Sequence, residues 1–454
     1  MTFNRTIKPE SKILLNFNPP QMEILSLKNG LKVYFVNKDK LPFVRMKMIV
    51  NAGSKFDPEN KYGLAFLTSM VIDEGADELD ALQLSDEFDL LGSSFNVSAD
   101  NDSINITLQS LSENFERSFS LFSKVLLKPQ FNQEDFDREK KKLLTRIIQS
   151  KDEPEYLADQ IFDRIILGDN NSYAYPVMGF EDSLKAIELN DAIEHYKKYF
   201  SPANSFLIIV GNISKDELTV TFEKYLSNWD SKTQLSLPNF ESTVQPNKIF
   251  LHHKEGSVQT EIRVGHISSP RSDKDYFPKL LLNTILGGQF TSRINLNLRE
   301  RNGYTYGAHS RFQYFKDSSY FQISTSVGIE NTINAIKEIE FELNNIKNGV
   351  EENEVEFAKS SITKKFPMNF ETYRQIVSSL STKIFFNLSD DYFDSYIDKI
   401  NSISKSDIDN AAEKFINLKN YSIILVGDKN RLSKDFEVVG WKYKEVDSEG
   451  NLIA

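Results

Sequence analysis

Arg299 and Tyr306, seven residues apart in the stretch Leu298–Gly307, are the side chains in this chain best suited to chemistry. A guanidinium offers a planar fork of donors and a phenol offers an O–H. Such a pair suits gripping a carbonyl and stabilising the charge that builds on its oxygen when that carbonyl is attacked. A helical run over Thr284–Arg301 carries the arginine, and a strand-like run over Tyr304–Ser310 carries the tyrosine. Gly303 stands between the two runs, where positive φ costs least, so the chain is expected to turn there and bring the two side chains together. A plainer reading stands beside this one: Tyr304 and Tyr306 share a strand face and pack on Gln313–Phe315, while Arg299 only makes ion pairs around Glu300.

Other catalytic or metal-holding sets are hard to find. His195 sits on a helix among Glu194, Tyr196 and Lys197 and is expected at the surface; His252 and His253 are adjacent in a strand-like run and must point to opposite faces. His266 and His309 are isolated. The absence of cysteine removes disulfides, thiolate metal sites and a cysteine nucleophile together. No Gly-x-Ser-x-Gly elbow or phosphate loop occurs, no set of three donors stands out, and no metal is expected in this chain.

The run from Asn283 to Arg299 leading into Gly303-Tyr-Thr-Tyr306-Gly-Ala308 resembles the second-half signature of the insulinase/pitrilysin family of zinc peptidases, and the likeness extends over roughly Met22 to Phe436. It is nearest to bacterial members of this length and to mitochondrial processing peptidase subunits. An active member carries Gly-Leu-Ala-His-x-x-Glu-His-Met on its first helix. Laid on Gly63-Leu64-Ala65, the first His falls at Phe66, the Glu at Ser69 and the second His at Met70. The third ligand, a Glu, falls near Ile147, where no glutamate occurs between Glu139 and Glu153. Two His at i and i+4 hold the metal on one helix face and the Glu takes a proton from its water; phenylalanine, serine and methionine do neither. The resemblance therefore implies a zinc-free subunit. It supplies Arg299 and Tyr306 in trans to a partner of similar size that bears the His-x-x-Glu-His motif and the zinc, so that the two form a heterodimeric metallopeptidase acting on peptides and unfolded protein.

The elements that must position these residues read in order. Met22–Leu27 and Leu31–Asn37 form a hairpin through Lys28-Asn29-Gly30, and Val44–Asn51 is a third strand. Helices follow over Tyr62–Asp73 and Ala81–Leu91, then a hairpin over Ser93–Ala99 and Ser103–Ser110, then long helices over Ser112–Leu127 and Gln133–Ser150, broken at Pro129. Tyr156–Leu167 and Asp191–Phe200 are helical, and Phe206–Val210 reads as a strand buried on both faces. The segment Asn204-Ser-Phe-Leu-Ile-Ile-Val-Gly211 recurs as Asn420-Tyr-Ser-Ile-Ile-Leu-Val-Gly427, and the helix before it recurs at the same offset, which marks an internal duplication. The expected fold is α+β, with two homologous halves, each a mostly antiparallel sheet with helices packed on one face, closing on each other like a clam-shell. The halves are expected at 1–236 and 248–454, with a linker at 237–247.

Composition narrows the partners. Of 454 residues, 40% are hydrophobic and 26% charged, a globular balance; the net charge of −11 argues against nucleic acid, which needs a basic surface. That charge leaves open acidic chamber walls that favour basic peptides. The densest basic run, Arg138–Lys142, reads as a solvated helix face. No apolar run reaches the ~18 residues of a membrane span, so no membrane insertion is expected. The polar stretch Asn4–Pro20 resembles the mature start of envelope-located bacterial relatives. This implies periplasm or envelope if a leader was removed, and cytoplasm otherwise. A homodimer is an option when the partner is missing. The alternative function is a structural or peptide-binding pseudo-peptidase, and a third is a homodimeric enzyme using another metal or none.

Overall fold

The computed structural model describes residues 17–229, 238, 240–242 and 248–453. The first sheet comprises β1 (Glu23–Ser26), β2 (Lys32–Asn37), β3 (Phe43–Val50), β4 (Ser94–Ala99), β5 (Ile104–Leu111) and β6 (Ser205–Gly211), in the order β1-β2-β6-β3-β5-β4. The second comprises β7 (Ile249–His253), β8 (Gln259–Ile267), β9 (Ala308–Tyr314), β10 (Ser319–Gly328), β11 (Ser422–Gly427) and β12 (Tyr443–Val446), in the order β12-β7-β11-β8-β10-β9. Parallel pairing is confined to β2 with β6 in the first sheet and to β7 with β11 and β12 in the second. The architecture is thus the expected two-halved α+β fold. The repeat is visible strand by strand, with β6 and β11 in equivalent places and Gly211 and Gly427 closing them. It breaks only at the outer edge, where the first sheet uses its own N-terminal strand and the second uses a C-terminal one.

Helices α1 (Leu64–Val71), α2 (Ala81–Leu90), α3 (Phe115–Leu127) and α4 (Gln133–Ser150) cover one face of the first sheet. Alternation on the strands turns Val44, Met46, Met48, Ile104, Ile106 and Leu108 inward against Leu67, Phe119, Phe122 and Leu143. Each such side chain contributes about 1.5–3 kcal/mol on burial. The ends follow local chemistry: the Asp80 carboxylate accepts from the Gln83 N–H to cap α2, and Asn132 caps α4 through the Glu134 N–H.

The second face of each sheet is covered in part by a helix from the opposite half. Helix α5 (Pro154–Leu167) lays Leu157, Ile161 and Phe162 on Phe250, Ile424 and Val426 of the second sheet. In return, helix Tyr373–Phe385 lays Tyr373, Ile376, Val377 and Leu380 on Val36, Ile49, Ile208 and Val210 of the first. This exchange is why β6 is buried on both faces: Leu207 and Ile209 meet their own helices, and Ile208 and Val210 meet the donated one.

A buried polar joint ties the halves together. Lys55 Nζ, 2% exposed at the side chain, lies 2.9 Å from Asp102 Oδ1 and 3.0 Å from Asp317 Oδ2 of the other half. The Tyr173 phenol donates to Asp102 Oδ1 at 2.5 Å, and the Lys316 backbone N–H donates to Asp102 Oδ2 at 3.1 Å. Across the α5 contact, buried Arg263 donates through Nε to Asp159 at 2.7 Å. Of the expected linker, residues 238 and 240–242 are described, and Phe240 forms an isolated bridge with Asn171; the rest of 237–247 lies outside the described residues. Among the described residues no helix is long and apolar enough to cross a membrane.

Candidate functional site

Helix α1 starts where Gly63 adopts φ +97°, and a Cβ there would stand 2.5 Å from the Met178 carbonyl oxygen, so the position needs glycine twice over. The Asp57 carboxylate accepts from the Gly63 and Ala65 N–H groups, both at 2.8 Å, and so caps the helix. Burial pushes that carboxyl up to about 8, against the backbone donors that favour its charged form. On α1 itself, Ser69 is 2% exposed and donates its hydroxyl back to the Phe66 carbonyl at 2.7 Å. Phe66 and Met70 are half-buried and pack against the first core. The Arg146 guanidinium of α4 lies over the Phe66 ring, 5.7 Å from its centre, while Ile147 beside it points into the core.

Just beyond α1, burial raises the Asp73 carboxyl to about 7, helped by the charges of Glu74 and Glu139. Glu139 is buried and accepts from Arg138 at 3.2 Å and Lys142 at 2.6 Å, and Arg138 also bridges to Glu74. Among the described residues no group of three His, Cys, Asp or Glu could hold a metal ion.

The histidines are accounted for individually. His195 is 4% exposed, not at the surface as expected: it shares a helix face with Ala192 and Tyr199, and its Nε2–H donates to the Ala52 carbonyl at 3.1 Å. Burial pushes its pKa down to about 4. His252 and His253 do point apart, to the Val446 carbonyl and the Lys429 N–H. His266 is buried, accepts from the Asn417 N–H and donates to the Ile267 carbonyl. His309 is exposed on β9.

In the second half, the run expected as one helix over Thr284–Arg301 is broken. A helix over Tyr276–Leu286 ends at Gly287, and a short turn over Arg293–Asn295 widens into a π-helical turn, Leu296–Arg301, closed by the Asn302 N–H donating to the Asn297 carbonyl at 3.1 Å. Gly303 turns the chain at φ +67° with nothing near its Cα that a side chain would strike. The strand expected from Tyr304 begins only at Ala308, because Thr305 donates its hydroxyl to the Gly307 carbonyl and bends the chain first. Tyr304 and Tyr306 therefore do not share a strand face. Tyr304 packs against the second core, and Tyr306 is 93% exposed. Arg299 lies flat on Phe290, its guanidinium carbon 4.4 Å from the ring centre, with Nε 3.5 Å from Glu300. No hydrogen bond joins Arg299 to Tyr306 in this structure. Beside Phe290 runs a cleft of about 370 Å³, lined by Ile285, Gln289, Thr291, Glu354 and Phe357.

Residues 32–173 match the family model described as Insulinase (Peptidase family M16), and residues 186–362 match the one described as Peptidase M16 inactive domain. This chain belongs to the insulinase (M16) family. A Rickettsia felis protein described as an uncharacterized zinc protease is 25% identical to it over 350 residues, 76% of this chain and 82% of that protein. A Helicobacter pylori protein described as non-peptidase homolog YmxG is 21% identical over 407 residues, 88% of this chain and 92% of its own. Among solved structures, a Pseudomonas fluorescens chain described as a peptidase M16 inactive domain shares the fold with a TM-score of 0.83 at 25% identity, covering 90% of this chain and 98% of that one.

The residues of this M16 chain do not fit the family's zinc. Phe66 has no lone pair, the Ser69 hydroxyl is spent on a backbone carbonyl, and Met70 is a soft thioether, half-buried against the core. An exposed cation, Arg146, faces Phe66 from α4. Sequence reading missed that cation and the Lys55 joint. The signal available for the first was only an arginine one position from the expected glutamate.

Proposed function

We propose that this chain is the zinc-free subunit of a two-chain M16 peptidase, with a partner of similar size supplying His-x-x-Glu-His and its zinc. Arg299 and Tyr306 then act in trans on the scissile peptide of an extended substrate. The observation that carries this reading is the exposure of Tyr306, whose phenol is solvent-facing at 93% on a turn built by Gly303 and Thr305. A large, amphipathic side chain held out on a formed turn suits contact with something outside this chain. Arg299, on the π-helical turn before Gly303, is half-buried on Phe290 with Nε 3.5 Å from Glu300, which restricts the guanidinium. The phenol O–H donates to the oxygen on which charge builds, and the guanidinium fork grips neighbouring substrate carbonyls.

The similarity to proteins described as inactive or non-peptidase supports a subunit without its own metal chemistry. It equally favours a second reading, a peptide-holding protein with no part in hydrolysis. Reconstitution with the zinc-bearing partner separates them. Tyr306→Phe is expected to lower kcat of the complex by about 100- to 1,000-fold, the usual cost of one oxyanion donor, with thermal stability unchanged. Unchanged peptidase activity in that variant overturns the trans role and leaves the peptide-holding reading.

A further inference from the structure

Arg299 and Tyr306 stand on two arms that are rooted separately. The Arg299 arm is the π-helical turn Leu296–Arg301. There Asn297, 3% exposed, donates through Nδ2 to Glu338 at 2.9 Å and to Glu342 at 2.7 Å on helix Thr332–Asn345, and its Oδ1 accepts from the Asn302 amide at 2.7 Å. The guanidinium that this turn carries lies on the ring of Phe290, in the loop that follows helix Tyr276–Leu286.

The Tyr306 arm is the turn into β9. The phenol is exposed and makes no hydrogen bond or ring contact among the described residues, so its place is set by the residues on either side of it. The Thr305 hydroxyl accepts from the Gly307 N–H at 3.1 Å and donates to the Gly307 carbonyl at 2.9 Å. Behind it, the Thr325 hydroxyl on β10 stands 3.0 Å from both the Thr305 hydroxyl and the Gly307 carbonyl oxygen.

One side chain joins the two arms. Asn295, 1% exposed, donates through Nδ2 to the Phe290 carbonyl at 2.6 Å, and its Oδ1 accepts from the Ala308 N–H at 3.0 Å. A carbonyl only accepts and a backbone N–H only donates, so the two partners fix which way the amide points and require a donor and an acceptor on one short side chain. The loop under Arg299 and the residue two after Tyr306 are thus held by a single planar group. An apolar replacement leaves the Phe290 carbonyl and the buried Ala308 N–H without a partner. The rest of the joint stands without it. The Ser310 N–H donates to the Gly287 carbonyl at 3.0 Å and the Ser310 hydroxyl to Asn283 at 2.9 Å, so β9 stays tied to helix Tyr276–Leu286 when the amide is lost.

We propose that Asn295 is a positioning residue of the candidate site: it touches no substrate, and it sets the placement of the Arg299 guanidinium on Phe290 relative to the Tyr306 phenol. The inference rests on the trans reading above and adds the residue that makes one site of two side chains with no bond between them. A displacement of about 1 Å caused away from the chemistry can cost on the order of 100-fold in rate, more than the two hydrogen bonds would suggest.

The test has an arm without the partner and an arm with it. In the purified chain, Asn295→Ala is expected to speed amide exchange at Ala308 by at least about tenfold while Ser310 stays protected. In the complex with the zinc-bearing partner it should lower kcat by about 10- to 100-fold and leave KM within about twofold. Combined with Tyr306→Phe, it should bring kcat no lower than about threefold below Tyr306→Phe alone, because both changes disable the same phenol. Thr325→Val, which removes the hydroxyl behind Thr305 and suits a strand, should give the same kinetic pattern to a smaller degree, and it guards against misfolding of the asparagine variant. Unchanged exchange at Ala308, equal acceleration at Ser310, unchanged kcat, a loss carried by KM, or losses that multiply in the double variant each overturn the proposal. A failure of the trans reading shows instead as an inert Tyr306→Phe with Asn295 intact, so the two failures are distinguishable.

Discussion

The Arg146 guanidinium carbon stands 5.7 Å from the centre of the Phe66 ring, so an exposed positive charge on α4 faces the residue at the family's first ligand position. This relationship makes the loss of the metal site more than a loss of ligands. At roughly 5 Å and an effective dielectric of about 20, each unit of added positive charge costs about 3 kcal/mol against such a cation.

Restoring donors on α1 alone is therefore expected to fail. Phe66→His combined with Ser69→Glu and Met70→His should retain almost no zinc after dialysis, whereas adding Arg146→Glu, which removes the cation and supplies a carboxylate, should retain about one zinc per chain. Metal content by mass spectrometry decides this. Stoichiometric zinc in the triple variant would show that Arg146 does not guard the site.

The Lys55 joint is expected to govern how firmly the halves hold. Lys55→Met leaves Asp102 buried beside Tyr173 without its cation, and loss of one member of a buried pair costs about 3–5 kcal/mol. Asp317→Asn should cost less, because that carboxylate is 30% exposed. Urea denaturation of both variants gives the comparison, and a larger effect of Asp317→Asn would contradict the assignment.

His195 should set part of the acid limb of stability. Its folded pKa of about 4 lies below the ordinary value of about 6.5, so its contribution is complete above pH 6.5 and is lost as pH falls toward 4, by about 3 kcal/mol. His195→Gln keeps a donor for the Ala52 carbonyl and cannot titrate. The difference between wild type and variant across pH 4–6.5 isolates this contribution, and parallel curves would refute it.

Asp163 acts with the opposite sign. Burial and the charge of Asp159 raise its pKa to about 7, and its Oδ1 has no hydrogen-bond partner. Its stabilisation is present below about pH 4 and is lost as pH rises through 7, by up to roughly 4 kcal/mol. Asp163→Asn should thus be more stable than wild type at pH 8 and no better at pH 4, as read by thermal melts at the two values.

Much of this was legible in the chain because the signals were local. Asn29-Gly30 announced the first hairpin, Asp80 and Asn132 marked helix starts, and the matched strands ending at Gly211 and Gly427 disclosed the repeat. What escaped depends on distant contacts. The amphipathic patterns of α5 and of helix Tyr373–Phe385 carry no address, so their exchange between sheets could not be read. His195 was misplaced because its sequence neighbours are charged, although Ala192 and Tyr199 at helical spacing marked a buried face. At the candidate site, the turn at Gly303 was foreseen from its backbone freedom. The bend at Thr305, which releases Tyr306 into solvent, arises from a hydroxyl-to-carbonyl hydrogen bond that alternation does not predict.

The most direct measurement is peptide hydrolysis by the purified chain alone, with and without chelator. The account predicts no cleavage, with activity appearing only when a zinc-bearing partner is added. Chelator-sensitive cleavage by the isolated chain, free of contaminating peptidase, would contradict it.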